Sequence, residues 1–243
     1  MKYTLSILIF LSLVACNKES APDCFKTKGE ALEVNRELEG FNRVILKDMI
    51  DLHIVQDQSN FVIIKAGKNI IPKITTEVDN GDLLIEDNNR CNFIRDLGER
   101  IVIELHTTGF RNLEVYGSGN ISFDNTLTVP VFNMDAFKTN AKHSINVDTD
   151  SCKIKYHIGG NDLTLEGTSN YLFLYNLGNS WMRTEGLSST LTHVSNDSSG
   201  DVFVKAPNTL MYELHQTGDI FYQGIPDTII TLNHSGSGNI ISL

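Results

Sequence analysis

Hydrophobic and polar positions in this chain alternate with a period of two, and no stretch carries the 3.6-residue period over the length of an ordinary helix. In "FNRVILKDMIDLHIV", Ile50, Leu52 and Ile54 alternate with Asp51 and His53, which predicts a strand with one buried face. "NFVIIKAG" reads as a short apolar strand, and Pro72 in "KNIIPKI" marks a connection that accommodates a brief helical turn. "TTEVDNGDLLIED" sets Asn80-Gly81 between two β runs, the strongest short-range hairpin signal. "NNRCNFIRDLGER" reads as a loop, and "RIVIELHT" and "RNLEVYG" as further strands.

From Gly117 onward a longer period is superimposed. An apolar residue follows Asn, Asp or Ser, which itself follows Gly, Asn or His. The apolar anchors are Ile121, Ile145, Leu163, Trp181, Val202, Ile220 and Ile240, at spacings of 24, 18, 18, 21, 18 and 20 residues. A recurrence near 20 residues is the signature of a solenoid, in which each winding buries its apolar face only by stacking on its neighbours. Each anchor is expected to point inward just after a corner. Two residues on, Phe123, Val147, Leu165, Val204 and Tyr222 are apolar again, whereas Arg183 and Ser242 break that second column. Gly and Asn at the corners suit left-handed backbone, and Asn, Asp and Ser side chains hydrogen-bond the local backbone of turns. The five residues "GSGNI" occur at 117–121 and again at 236–240. The winding they begin at the end of the chain would expose unpaired backbone. Coverage within the monomer is the preferred expectation, docking against another chain the alternative.

The corners "GSGNISF", "SSGDVFV", "QTGDIFYQGIP" and the final "GSGNI", together with "RELEGFNRVILKDMIDLHIVQDQSNFVIIKAGKNIIPKITTEVDNGDLLIED", resemble the head GIN domain, a family also labelled an auto-transporter adhesin. The resemblance runs from about Val34 to Leu243. It implies an all-β fold, a right-handed parallel β-helix-like solenoid with an N-terminal antiparallel β cap. In "KHSIN" and "LGNSW" the corner glycine is missing, so the windings there depart from the family pattern. The family supplies no catalytic residues to carry over.

The N-terminus has a different texture. "MKYTLSILIFLSLVAC" carries Lys2, an apolar run from Leu5 to Val14, and then Leu13-Val14-Ala15-Cys16. The run is too short to span a bilayer. It resembles a bacterial lipoprotein signal, which implies cleavage before Cys16 and acylation of that sulfur. Residues 1–15 are therefore expected to be a signal peptide and 16–32 a lipidated tether. Residues 33–116 would form the β cap and 117–243 the solenoid windings. Lys18-Glu19 is similar to surface-export signals of Bacteroidetes lipoproteins. The expected address is the outer membrane, facing either the periplasm or the exterior, with the membrane as partner through Cys16.

Composition narrows the chemistry. The formal charge is −10, with no basic block, which argues against nucleic acid as a partner. Three cysteines remain after Cys16. Cys24 and Cys91 are the favoured disulfide, since an exported protein meets oxidising conditions, and Cys152 is expected to be a buried thiol. With no CxxC, and with His53, His106, His143, His157, His193, His215 and His234 scattered singly, neither a metal site nor a cofactor is expected. Asp148 and Asp150 with Asn146 could hold a hard cation, but they lack the glycine and the glutamate of an EF-hand. The Asn/Asp/Ser column reads either as a calcium ladder or, preferably, as stacked hydrogen bonds, since "GGNDLTLEG" occurs once rather than at nine-residue repeats. No G-x-S-x-G elbow supports a nucleophilic serine, and Arg183 is the lone arginine beyond Arg111, which disfavours a cationic sugar-cleaving cleft.

"NYLFLYN" offers a candidate surface. Tyr171, Phe173 and Tyr175 lie on one face of a strand and Leu172 and Leu174 on the other. If the leucines face the core, the three rings form an external binding stripe for sugar rings or a partner. The more ordinary reading turns the rings inward. The expected function is a non-enzymatic, lipid-anchored adhesin or glycan- or surface-binding module. The alternatives are a carbohydrate-active β-helix enzyme and a structural subunit of an envelope complex. Oligomeric state is left open.

Overall fold

The computed structural model describes residues 27–89 and 100–243. Cys16, the candidate Cys24–Cys91 pair and the Lys18-Glu19 signal lie outside the described residues.

Among the described residues nineteen strands form one continuous sheet wound into a solenoid. The first seven are β1 (Ala31–Glu37), β2 (Arg43–Asp48), β3 (Ile50–Gln56), β4 (Phe61–Gly67), β5 (Ile74–Asp79), β6 (Asp82–Asp87) and β7 (Ile101–Thr107). A 3-10 turn at Ile71–Lys73 carries Pro72 in its first turn. Windings with short strands follow: β8 (Asn112–Gly117), β9 (Ile121–Phe123), β10 (Leu127–Thr128) and β11 (Val131–Thr139). Three long strands then each bend around a whole winding: β12 (Lys142–Gly159), β13 (Asp162–Gly178) and β14 (Trp181–Ser198). The chain finishes through β15 (Val202–Lys205), β16 (Thr209–Leu214), β17 (Ile220–Gln223), β18 (Thr228–His234) and β19 (Ile240–Ser242).

Each winding has three sides. The first side stacks β7, β3, β9, the starts of β12 to β14, then β15, β17 and β19, all parallel. The third side stacks β6, β2, β8, β11, the ends of β12 to β14, then β16 and β18. The second side is short and begins at β10, which pairs with β12. On the first side one inward file runs through Ile64, Ile103, Leu52, Ile121, His143, Leu163, Met182, Val202, Ile220 and Ile240. Every member except Ile240 is buried. Burying each aliphatic member contributes roughly 1.5–3 kcal/mol.

This file contains Ile121, Leu163, Val202, Ile220 and Ile240 as expected and corrects two anchors. Ile145 sits one inward position later, beside Leu165, and His143 takes the anchor place. Trp181 points outward at 40% exposure, and Met182 is the inward residue. With these corrections the file from Ile121 to Ile240 steps by 22, 20, 19, 20, 18 and 20 residues. The second column shifts likewise: Ile145 replaces Val147 as the partner of Leu165, and Thr184, not Arg183, pairs with Val204. Thr184 is buried and its hydroxyl donates to the Phe203 carbonyl.

The corner glycines have a different cause from the one expected. Gly119, Gly200, Gly218 and Gly238 do not have positive φ. Instead, a Cβ on Gly119 would stand 1.7 Å from the Ile50 carbonyl oxygen, and one on Gly200 would stand 1.9 Å from that of Ser180. Stacked corners bring backbone against backbone, so the side chain itself is what cannot fit. Asn80 (φ 51) and Gly81 (φ 83) do need the left-handed region, and they make the two-residue turn between β5 and β6, with Asp79 opposite Asp82.

The N-terminal region is only partly an antiparallel cap. β1 pairs antiparallel with β4, β4 with β7, and β5 with β6. β2 and β3 form a parallel winding inserted between β6–β7 and β8–β9. Their inward residues Val44, Leu46, Ile50, Leu52 and Ile54 need apolar cover from both axial directions, and the chain supplies it by doubling back through β4 and β5 before β6. At the other end, no cover is found among the described residues. All seven residues of β18 are exposed, and among the described residues β18 and β19 each pair on one edge alone.

Candidate interaction surface

The outward residues of the third side carry most of the surface chemistry. In β13 Leu172 and Leu174 are fully buried, whereas Tyr171, Phe173 and Tyr175 are half-buried on the outer face. The sheet therefore turns the three rings outward. Alternation decides this, because both leucines lie in inward files with Cys152 and Ile154 of the preceding winding.

These rings join others from neighbouring windings. Tyr116 stacks on Phe137 with centroids 5.0 Å apart, and Phe137 on His157 at 4.4 Å, both pairs within 9° of parallel. His157 meets Tyr175 at 5.8 Å and 57°, and Phe173 meets His193 at 4.8 Å and 56°. The interwinding spacing of about 4.8 Å suits a ring ladder, so residues far apart in sequence form one band. Faces inside the ladder contact each other, and the band presents ring edges. Tyr171 differs, since its row neighbours are Ser151 and Leu191; burial raises its hydroxyl pKa.

Carboxylates thread the band. Glu114 accepts from Arg43 at 3.1 Å and from the Tyr116 hydroxyl at 3.0 Å. Asp135 pairs with His157 Nε2 at 2.7 Å and lies 3.4 Å from Lys155 Nζ. Glu213 pairs with His193 Nε2 at 3.1 Å and His215 Nε2 at 3.3 Å. His193 Nδ1 lies 3.4 Å from the Tyr171 hydroxyl and His215 Nδ1 lies 3.4 Å from Ser235 Oγ. A hydrogen-bonded line thus runs across four successive windings, from Tyr171 to Ser235.

Two Ser–His–acid groupings test the hydrolytic reading. Ser122 Oγ sits 3.1 Å from His53 Nδ1, and Asp124 sits 3.5 Å from that same nitrogen. Serine and carboxylate on one nitrogen cannot relay a proton through the ring. Ser235, His215 and Glu213 do occupy opposite ring nitrogens. Beside them, however, the Ser235 and Gly236 amides both donate to the Leu214 carbonyl, so neither is available to an oxyanion.

The Asn/Asp column makes stacked hydrogen bonds. The Asn120 amide donates to Asp51 Oδ1 at 2.7 Å and the Lys142 amide to Asn120 Oδ1 at 3.1 Å. The Asp219 amide donates to Asp201 Oδ1 at 2.8 Å and the Asn239 amide to Asp219 Oδ1 at 2.7 Å. Trp181 interrupts the column, and Asp162 beneath it binds the Arg183 guanidinium instead. Asp148 and Asp150 face outward on the second side, accepting from Thr168 and from Asn170 Nδ2; Asn146 points outward beside them. Among the described residues no three His, Cys, Asp or Glu side chains converge on a metal position.

Inside the solenoid lies a polar ladder that the sequence reading missed. Asn176 Nδ2 donates to Ser180 O and Asn196 Oδ1, and Asn196 Nδ2 donates to Gly200 O and Gly218 O. At the exposed last winding the same place is taken by His234, whose Nε2 donates to Gly238 O at 3.0 Å. The signal was a polar residue four positions before each corner, in "NLGNS", "NDSSG" and "HSGSG". Cys152 is a fully buried free thiol, with burial pushing its pKa up to about 12, so it stays protonated and inert. A cavity of about 760 Å³ at the N-terminal end is lined by Leu32, Met49, Ile101 and Val102, and its wall includes Asn89 and Arg100, which flank residues 90–99.

The family description "Putative auto-transporter adhesin, head GIN domain" matches residues 40–226. The chain belongs to the head GIN domain family. The match begins at residue 40 and ends at 226, inside the span that the corner motifs suggested. This head GIN domain is similar in fold to a "putative adhesin" from Bacteroides fragilis NCTC 9343, with TM-score 0.81 and 17% identity over 89% of this chain and 99% of that one. It is also similar to a "putative lipid binding protein" from Parabacteroides distasonis ATCC 8503, with TM-score 0.67, 17% identity and coverage of 88% and 97%. A second P. distasonis structure, a "putative adhesin", aligns with TM-score 0.64, 16% identity and coverage of 89% and 99%. At such identities the likeness establishes the fold. No curated protein matches the sequence.

Proposed function

We propose that this head GIN domain is a non-enzymatic adhesin, held outside the cytoplasm by lipid on Cys16 at the outer membrane, and that the band on its third side grips a surface glycan. The observation that carries this reading is the outward stripe Tyr171, Phe173 and Tyr175, set beside buried Leu172 and Leu174. Aromatic rings bordered by the carboxylates of Glu114, Asp135 and Glu213 offer apolar contact together with directional acceptors for hydroxyl groups. The family description supports adhesion. The two serine groupings above lack either a relay or an oxyanion site, and the lone late arginine, Arg183, is paired with Asp162, which favours binding over sugar cleavage.

Glycan-array binding of the wild type, with no product released, is the expected result. Tyr171→Ser/Phe173→Ser/Tyr175→Ser should lower that binding at least about tenfold, a difference of ~1.4 kcal/mol, while thermal unfolding stays near wild type. Unchanged binding, or collapse of the fold, would assign the rings to structure.

A further inference from the structure

The two ends of the solenoid are built differently. At the N-terminal end the outermost strands are β1 and β5. They carry Glu33, Arg36, Glu37, Glu77 and Asp79, charges of the kind that keep a strand edge from pairing with a neighbour. Arg36 also reaches from one side to the other. Its guanidinium donates to Ile74 O at 2.7 Å, Thr76 Oγ1 at 2.9 Å and Ile71 O at 3.1 Å, closing that end.

The far end has none of these devices. β18 is "TIITLNH" and β19 is "IIS", without a lysine, arginine, aspartate or glutamate. Ile229 is 44% exposed, Ile230 38% and Leu232 48%, whereas Leu210 and Leu214 one winding earlier are fully buried. The outer edge of β18 offers backbone groups that pair with no strand among the described residues.

We infer that β18 is a homotypic docking edge, where two copies join in antiparallel fashion across a two-fold axis. Three observations select a second copy. The edge is uncharged in a chain of net charge −10, so two copies meet at the one end where their like charges do not oppose each other. Antiparallel self-pairing brings aliphatic residues of one "IITL" run against those of the other. The opposite end is charged and bridged by Arg36, so head-to-tail addition is blocked and association closes at two chains instead of growing into a fibre.

The test is mass photometry and sedimentation of the full chain in detergent, with hydrogen exchange read at residues 228–234. The expected result is a two-chain mass, with slow exchange of β18 amides that is lost on dilution. Ile230→Lys should give single chains with an unchanged circular dichroism spectrum. Thr228→Lys, at the start of the strand, should weaken pairing in the same direction and serves if Ile230→Lys fails to fold. Single chains at every concentration would overturn the proposal. So would a two-chain mass that neither lysine changes, masses that climb beyond two chains, or protected β18 amides in a single-chain species. This docking does not depend on the glycan reading, because loss of pairing in Ile230→Lys leaves the Tyr171 stripe intact.

Discussion

His143 stands where neighbouring windings carry Ile121 and Leu163. It is 1% exposed, and its Nδ1 lies 2.7 Å from the hydroxyl of buried Tyr156. Among the described residues its Nε2 has no hydrogen-bond partner, and burial depresses its pKa from 6.5 to about 4, which keeps the ring neutral. Between those values the unfolded chain binds the extra proton. This contribution to stability is therefore fully present above pH 6.5 and is lost as the pH falls toward 4. The expected loss is about 3 kcal/mol. His143→Leu/Tyr156→Phe should flatten the pH 4–6.5 region of a denaturation series without lowering stability at neutral pH; a slope unchanged from wild type would remove His143 as its source. Here the sequence was hardest to read. A histidine in an apolar file carries no pattern signal, so the anchor was sought at Ile145.

At the scale of the winding, the glycines report spacing. A Cβ at Gly218 would lie 2.2 Å from the Gly200 carbonyl oxygen, whereas one at Gly40 would meet nothing within 4 Å. Gly218→Ala should cost about 2–4 kcal/mol in urea unfolding, and Gly40→Ala should stay within about 0.5 kcal/mol. Equal effects would mean that the corners tolerate separation. Period-two alternation and the recurrent corner made this level legible: the Asn80-Gly81 hairpin, the Pro72 turn and Cys152 fall where the pattern put them, whereas alternation placed Tyr171, Phe173 and Tyr175 on one face without saying which face is outward. Two things were hidden. The insertion of β2–β3 between later strands leaves no local trace, because parallel partners lie far apart in sequence. The ring ladder is hidden for the same reason, since Tyr116, Phe137 and His157 become neighbours only through stacking.

For the molecule as a whole, described residues begin beside β1 at one end, and β18 and β19 close the other. Lipid on Cys16, as proposed, would fix the first end to a membrane. Cys16→Ser should move the protein from the detergent-rich to the aqueous phase on phase separation, with the fold unchanged; retention in the detergent phase would point to a different anchor. The acidic balance of the chain and the ring band along its flank describe a body that repels its copies sideways and presents one neutral tip.

That tip has a geometric consequence. The first-side file has ten members about 4.8 Å apart, so one body is ~43 Å tall and two joined tip to tip, with one further spacing at the join, are ~91 Å. Copies rooted in two facing cells would then act as a ruler, holding the envelopes at a gap counted in windings. Adding or deleting one winding would change that gap in steps of about 10 Å for the pair.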